Sequence, residues 1–308
     1  MSKWTRRGLL TAGAATGVVA LIGAGPPQRR PEPLDIVTGE DGFSAPATAA
    51  AGAVTFRVRT TSTRTGIVGI ARLRPGVGEA AFRRHLRDVF EKEDPEDVIR
   101  ASGDLMADAE LLGGAMAVRG SRSSFTAALR PGRYLVLEYK DFEGPYIGRD
   151  PLPGQEYVRP LLVHAGDDTG ARRPSPLAAV ASAATATVTA VDTARGPRFV
   201  LEGRIRRDRP VRCVNAMRGQ VDELAVYPLT NDSVTEADIQ RYFRSPRDTP
   251  EPFDLAAQLG TPPLSPGRSA VIRMPLAPGR YALTSWVTSM KDAQHLSAHG
   301  QVLIVTVP

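Results

Sequence analysis

The chain has 308 residues, 42% hydrophobic and 23% charged, with 29 Gly and 26 Pro, an ordinary globular composition sized for about two domains. That composition excludes collagen, coiled coil, wholesale disorder and a multi-span membrane protein, and the single Cys213 excludes intrachain disulfides and cysteine-based zinc sites, which need two thiols or more. Of the net charge of +6, five units come from Lys3, Arg6, Arg7, Arg29 and Arg30, so the body from Pro31 onward is nearly neutral and nucleic acid is not an expected partner.

Residues 1–30 read as a targeting segment. Lys3, Arg6 and Arg7 form a basic head, and Gly8 to Gly25 is uncharged, with Leu9, Leu10, Val18, Val19, Leu21 and Ile22. Thr5-Arg6-Arg7-Gly8-Leu9-Leu10 resembles the twin-arginine export motif, which marks passengers that cross a membrane already folded. A lone cysteine suits that route. No clean small-x-small cleavage site precedes Pro26, so residues 8–25 are either a cleaved signal or a retained single anchor. Localisation is therefore expected to be extracellular or at the cell envelope, with membrane contact only through this segment.

From Leu34 the chain repeats itself. Leu112-Gly113, Gly120 and Leu129-Arg130-Pro131-Gly132-Arg133-Tyr134 return, without a gap, as Leu259-Gly260, Gly267 and Leu276-Ala277-Pro278-Gly279-Arg280-Tyr281. Upstream, the alternating segment ending in Val54-Thr55-Phe56-Arg57-Val58 corresponds to Val211-Arg212-Cys213-Val214-Asn215, and Ile67 to Leu73 to Glu223 to Leu229. Each half then inserts helix. Phe82, Leu86, Val89 and Phe90 recur at helical spacing, Asp94-Pro95 starts a second helix, and Thr235 with Asp238 forms a box-like start for Ile239, Tyr242 and Phe243. Both halves close with a hairpin-like arrangement around Pro-Gly, a long loop and a last apolar strand. The expectation is mainly β: residues 34–166 one β-sandwich, 167–175 a polar linker, 176–308 a second sandwich, each with a short helical insertion.

Each half resembles the cupredoxin (blue, type 1 copper) family, a Greek-key sandwich, over nearly all of residues 35–308; the Pro-Gly-x-Tyr strand leading into a long loop and a final strand is the most specific element. The family's centre combines two imidazoles, a thiolate and a weak axial thioether. The resemblance places the first imidazole where the first half has Gly66 and the second Asp222, and the thiolate where they have Glu138 and Ser285. The second half keeps His295 near the second imidazole slot and has Gln301 near the thioether slot; the first has no loop His there and has Arg159. What the resemblance implies is the fold without its copper.

The remaining chemistry is sparse. Asp222, His295 and His299 offer a carboxylate and two imidazoles four residues apart, a set that could take Cu(II) or Zn(II); the other reading is solvated loop histidines. Cys213 falls on an inward strand position, a small core residue. Arg204 to Arg212 holds five arginines, either an anion-binding run or a solvated strand and turn. No Gly-x-Ser-x-Gly, phosphate loop or dinucleotide fingerprint occurs. The expected function is a non-enzymatic, cofactor-free binding or accessory module with an unidentified envelope or extracellular partner; the alternative is metal handling through the second half.

Overall fold

The computed structural model describes residues 32–40, 42–139, 157–165 and 181–308. The export segment, the linker and the boundaries at 166 and 176 lie outside the described residues, as does most of the loop after Glu138. Glu32–Pro308 forms one compact unit.

The first half runs β1 (Leu34–Gly39), β2 (Gly42–Ser44), β3 (Thr48–Ala50), β4 (Gly52–Thr60), β5 (Gly66–Leu73), α1 (Glu79–Glu91), α2 (Pro95–Asp108), β6 (Ala109–Ala117), β7 (Ser123–Leu129), β8 (Gly132–Glu138) and β9 (Val158–His164). The second runs β10 (Ala186–Thr193), β11 (Gly196–Gly203), β12 (Val211–Asn215), β13 (Asp222–Pro228), α3 (Glu236–Arg244), β14 (Leu259–Leu264), β15 (Ser269–Arg273), β16 (Gly279–Thr284) and β17 (Leu303–Val307). The fold is mainly β, as expected.

The helices start where the sequence places them. The Asp94 side chain accepts from the backbone N–H groups of Glu96 and Asp97, with Pro95 in the first turn, and Thr235 and Asp238 close a reciprocal capping box. Each insertion lays its apolar face on the sheet it interrupts. Phe82, Leu86 and Leu105 pack on Ile67, Leu135 and Leu137, and Ile239, Tyr242 and Phe243 pack on Ala225, Tyr227 and Phe253.

The strands form two mixed sheets, ordered β11-β10-β12-β15-β7-β4-β1-β2 and β17-β16-β13-β14-β6-β5-β8-β9-β3. Both run through both halves. In the first sheet β15 pairs with β7 (Val271 with Thr126, Ile272 with Phe125, Arg273 with Ser124); in the second β14 pairs with β6 (Gly260 with Met116, Leu264 with Leu112). The repeat offset of 147, which also separates the bonded pair Gly114 N–H and Thr261 Oγ1 at 2.9 Å, exchanges the β7–β15 partners with one another. A local two-fold therefore passes through the Phe125–Ile272 pair. One continuous apolar cluster, from Ile36, Phe56 and Phe125 to Cys213, Ile272 and Val307, fills the space between the sheets. The two sandwiches share their sheets and their core, a fusion that local strand patterns do not encode.

The Pro-Gly corner differs from the expected hairpin. β7 and β8 belong to different sheets, as do β15 and β16, so each corner crosses between layers. Gly132 (φ 147°) and Gly279 (φ 152°) adopt the same conformation there. The following tyrosine pins the arch in both copies: the Tyr134 hydroxyl donates to Arg130 O and accepts from Arg130 N, both at 2.9 Å, and Tyr281 repeats this with Ala277 at 2.9 and 3.1 Å.

Candidate functional site

The positions that the resemblance assigns to metal ligands fall on strands whose inward residues fill the core between the sheets, and period-2 alternation decides which of them face it. Leu224 and Val226 of β13 face the central core, so Asp222 faces inward too; Tyr134 and Val136 of β8 do the same for Glu138. Both carboxylates are buried, Glu138 completely and Asp222 at 3% exposure.

In the second half Asp222 is tied into a polar plug. Its Oδ2 accepts from Gln301 Nε2 at 2.7 Å. The Ser297 hydroxyl accepts from the Ser285 N–H at 2.8 Å and donates to Gln301 O at 3.1 Å. Burial pushes the Asp222 carboxyl well above the usual carboxylate range, against the pull of donors from Ser285 and Gln301. The slot is thus filled by side chains that bond to one another.

The expected metal set is not brought together. His295 is half-buried against the rings of Trp286 and Phe243, 5.4 and 5.7 Å between centroids, and its Nδ1 donates to Trp286 O at 2.6 Å. Burial lowers its pKa, so the ring is neutral near pH 7 with its lone pair on Nε2. It is therefore no simple solvated loop histidine. His299, in a 3-10 turn (Leu296–His299), directs Nε2 to Asp292 at 3.0 Å. Asp222 lies inside the sandwich with Gln301. Among the described residues no three His, Cys, Asp or Glu side chains are grouped to hold a metal.

Nor does the thiol supply a soft ligand. Cys213 is buried in β12 beneath a cavity of about 10 Å³ that it shares with Asn215, Asp222 and Phe199, roughly room for one water. Burial, with the neighbouring Asp222, pushes its pKa up, so it stays a thiol. A type 1 centre needs thiolate and two imidazoles; the residues in both slots do not fit it.

In the first half Glu138 Oε1 accepts from the Ile67 N–H at 3.2 Å. Gly66 leaves no space to spare: a Cβ there would stand 2.4 Å from Thr38 Oγ1. Arg159 lays its guanidinium 5.3 Å from the centre of the Phe43 ring. His85 bonds Asp108 at 2.7 Å on the helical layer and His164 ends β9, both remote from a slot by topology.

Sequence reasoning identified Asp222, Ser285 and Gln301 by slot but missed their mutual bonding, and it missed Ser297 altogether. It also left the arginines as one run, Arg204 to Arg212. The structure extends them: Ile205, Val211 and Cys213 turn inward, whereas Arg206, Arg209 and Arg212 are exposed beside Arg273 of the neighbouring strand. The alternation of Arg57 and Arg59 was the available signal for a wider cationic face.

No protein-family description matches the chain, and no curated protein matches it. Similar solved structures include a multicopper oxidase (12% identity, 89% of this chain and 88% of that one, TM-score 0.23). Auracyanin A from Chloroflexus aurantiacus, described as a blue copper protein, is 17% identical over 43% of this chain and 100% of its own, with TM-score 0.27. A Cu-containing nitrite reductase from Thermus scotoductus SA-01 is 14% identical over 90% of this chain and 61% of its own, with TM-score 0.23. All three likenesses are at low identity and low TM-score.

Proposed function

We propose that this chain is an exported, non-enzymatic binding or accessory module, built from two cupredoxin-like sandwiches whose copper slots have become internal structure. The observation that carries this reading is the Asp222–Gln301 bond at 2.7 Å inside the second slot, where the donor set offers hard oxygens and amides in place of thiolate. Glu138, bound to the Ile67 N–H, plays the same structural part in the first half. Export is supported by the basic, apolar pattern of residues 1–30.

One observation favours the second reading, metal handling: with Nδ1 anchored on Trp286 O, the His295 Nε2 lone pair meets no donor among the described residues. A single titration separates the two. Cu(II) or Zn(II) added to the full chain, followed by Trp286 fluorescence, is expected to give no saturable change and no rise in melting temperature. Stoichiometric binding that disappears in His295→Ala overturns the module reading and makes the second half a metal carrier.

A further inference from the structure

The two sheets are covered unequally. Helices α1, α2 and α3 pack on the outer face of the nine-stranded sheet, and none of these three lies on the outer face of the eight-stranded one. That second face carries a row of arginines around the buried Val271 and Thr126. Arg59 of β4 stands beside Arg122, one position beyond the Val58–Ser123 pair. Arg273 lies opposite Ser124, itself opposite Arg57, and Arg212 lies opposite Val271, itself opposite Thr126. The loop from β11 to β12 adds Arg206 and Arg209 at the end of the same strip. Arg59, Arg122, Arg206, Arg209, Arg212 and Arg273 are exposed and form no ion pair among the described residues.

The acids there are Asp35, held by Arg57 at 2.6 Å, Glu32, whose charge also reaches Arg57, Asp208, 3.4 Å from Arg207, and Glu202 on β11. With neighbouring strands about 4.8 Å apart, the strip from β12 to β4 is about 15 Å wide, and it crosses the local two-fold so that both halves contribute. Of these arginines Arg273 donates to Asp208 O at 3.3 Å. Exposed like charges close together raise the energy of the isolated protein and lower it against a fixed anionic surface.

We propose that this outer sheet face docks on an anionic phospholipid bilayer. Charge complementarity is the first argument: each cation near such a surface strengthens partitioning about fivefold. The covalent order of the chain is the second. Eight residues, two of them Arg29 and Arg30, separate the apolar stretch ending at Gly25 from Leu34, which opens β1 in this very sheet, next to β4. A link of that length reaches at most roughly 30 Å, so a bilayer holding residues 8–25, during or after export, is presented to this unit within that radius. The inference is independent of what the copper slots contain.

The test uses residues 32–308, the compact unit that includes every described strand, so that the apolar segment cannot itself insert. Co-sedimentation is expected with phosphatidylglycerol–phosphatidylcholine vesicles at about 0.05 M NaCl and to disappear at about 0.5 M, where screening is strong, with little binding to phosphatidylcholine alone. The variant Arg122→Glu/Arg212→Glu/Arg273→Glu should bind at least about 100-fold more weakly. A control that reverses as many charges on the helical layer, Arg84→Glu/Arg100→Glu/Arg241→Glu, should lose far less. Equal loss in the two triples, equal binding to both vesicle types, or tighter binding to random-sequence duplex DNA than to the anionic vesicles overturns the proposal.

Discussion

Each half buries one carboxylate in its slot, and the two come from different strands. Glu138 projects from β8, where the resemblance places the thiolate; Asp222 projects from β13, where it places the first imidazole. The frame around them hardly differs. Gly132 and Gly279 agree within a few degrees, and Tyr134 and Tyr281 bond the residue four positions back in the same way. The difference teaches that the arch and the slot are separable. The arch is held by backbone and hydroxyl groups at the opposite end of the Pro-Gly-x-Tyr strand from the slot, so slot chemistry can change completely while the arch persists.

Three measurements test how far that separation goes. The largest effect is expected at the repeat-related Gly113 and Gly260, whose immediate surroundings differ. A Cβ on Gly260 (φ 129°) would stand 1.8 Å from Leu224 O, a backbone atom held in the β13 ladder; on Gly113 (φ 71°) it would meet the Thr261 Oγ1 at 2.7 Å and the Leu264 side chain, which can rotate. Gly260→Ala should therefore cost about 3 kcal/mol or more and Gly113→Ala about half that, by denaturant unfolding. Equal losses would show that the two joints are equivalent after all.

An intermediate effect comes from Asp222. Its folded pKa is raised by burial, so above the unfolded value near 3.9 the folded protein keeps a proton that the unfolded chain has released. Stability then falls as pH rises from about 4 towards the folded pKa, by up to about 1.4 kcal/mol per pH unit. Asp222→Asn keeps an acceptor for Gln301 and should flatten that slope, with its advantage over the parent greatest at the upper end. A slope unchanged by the substitution would mean that Asp222 is ionised inside the fold.

The smallest effect is the most symmetrical. Tyr134→Phe and Tyr281→Phe each remove one hydroxyl that bonds a backbone N–H and C=O, and each should lower stability by about 1 kcal/mol. A loss in one half without the other would break the equivalence of the arches.

The sequence makes the repeat legible because turn glycines and the tyrosine are dictated locally, by dihedral angle and by a bond spanning four residues. Capping at Asp94 and Thr235 is equally local, and alternation in β12 is enough to turn Cys213 inward. What escaped is non-local. Nothing in β6 or β14 announces that they will pair, since both read as ordinary apolar strands. The crossing at Pro131 resembles a hairpin because turn residues do not specify which sheet receives the next strand. At the site, the identities of Asp222 and Gln301 were visible; their bond, across 79 positions, was not. The anchoring of His295 on a main-chain carbonyl leaves no trace in residue type.

The shared sheets also govern the order in which this chain can be completed. When only the first half exists, β6 and β7 are both outermost strands with unpaired backbone groups, and their natural partners, β14 and β15, are still to come. Open edges of that kind recruit whatever strand is nearest, including the same strands of a second molecule. A chain cut between the halves is thus expected to dimerise by strand exchange or to aggregate, and the intact chain buries both edges only when its second half arrives.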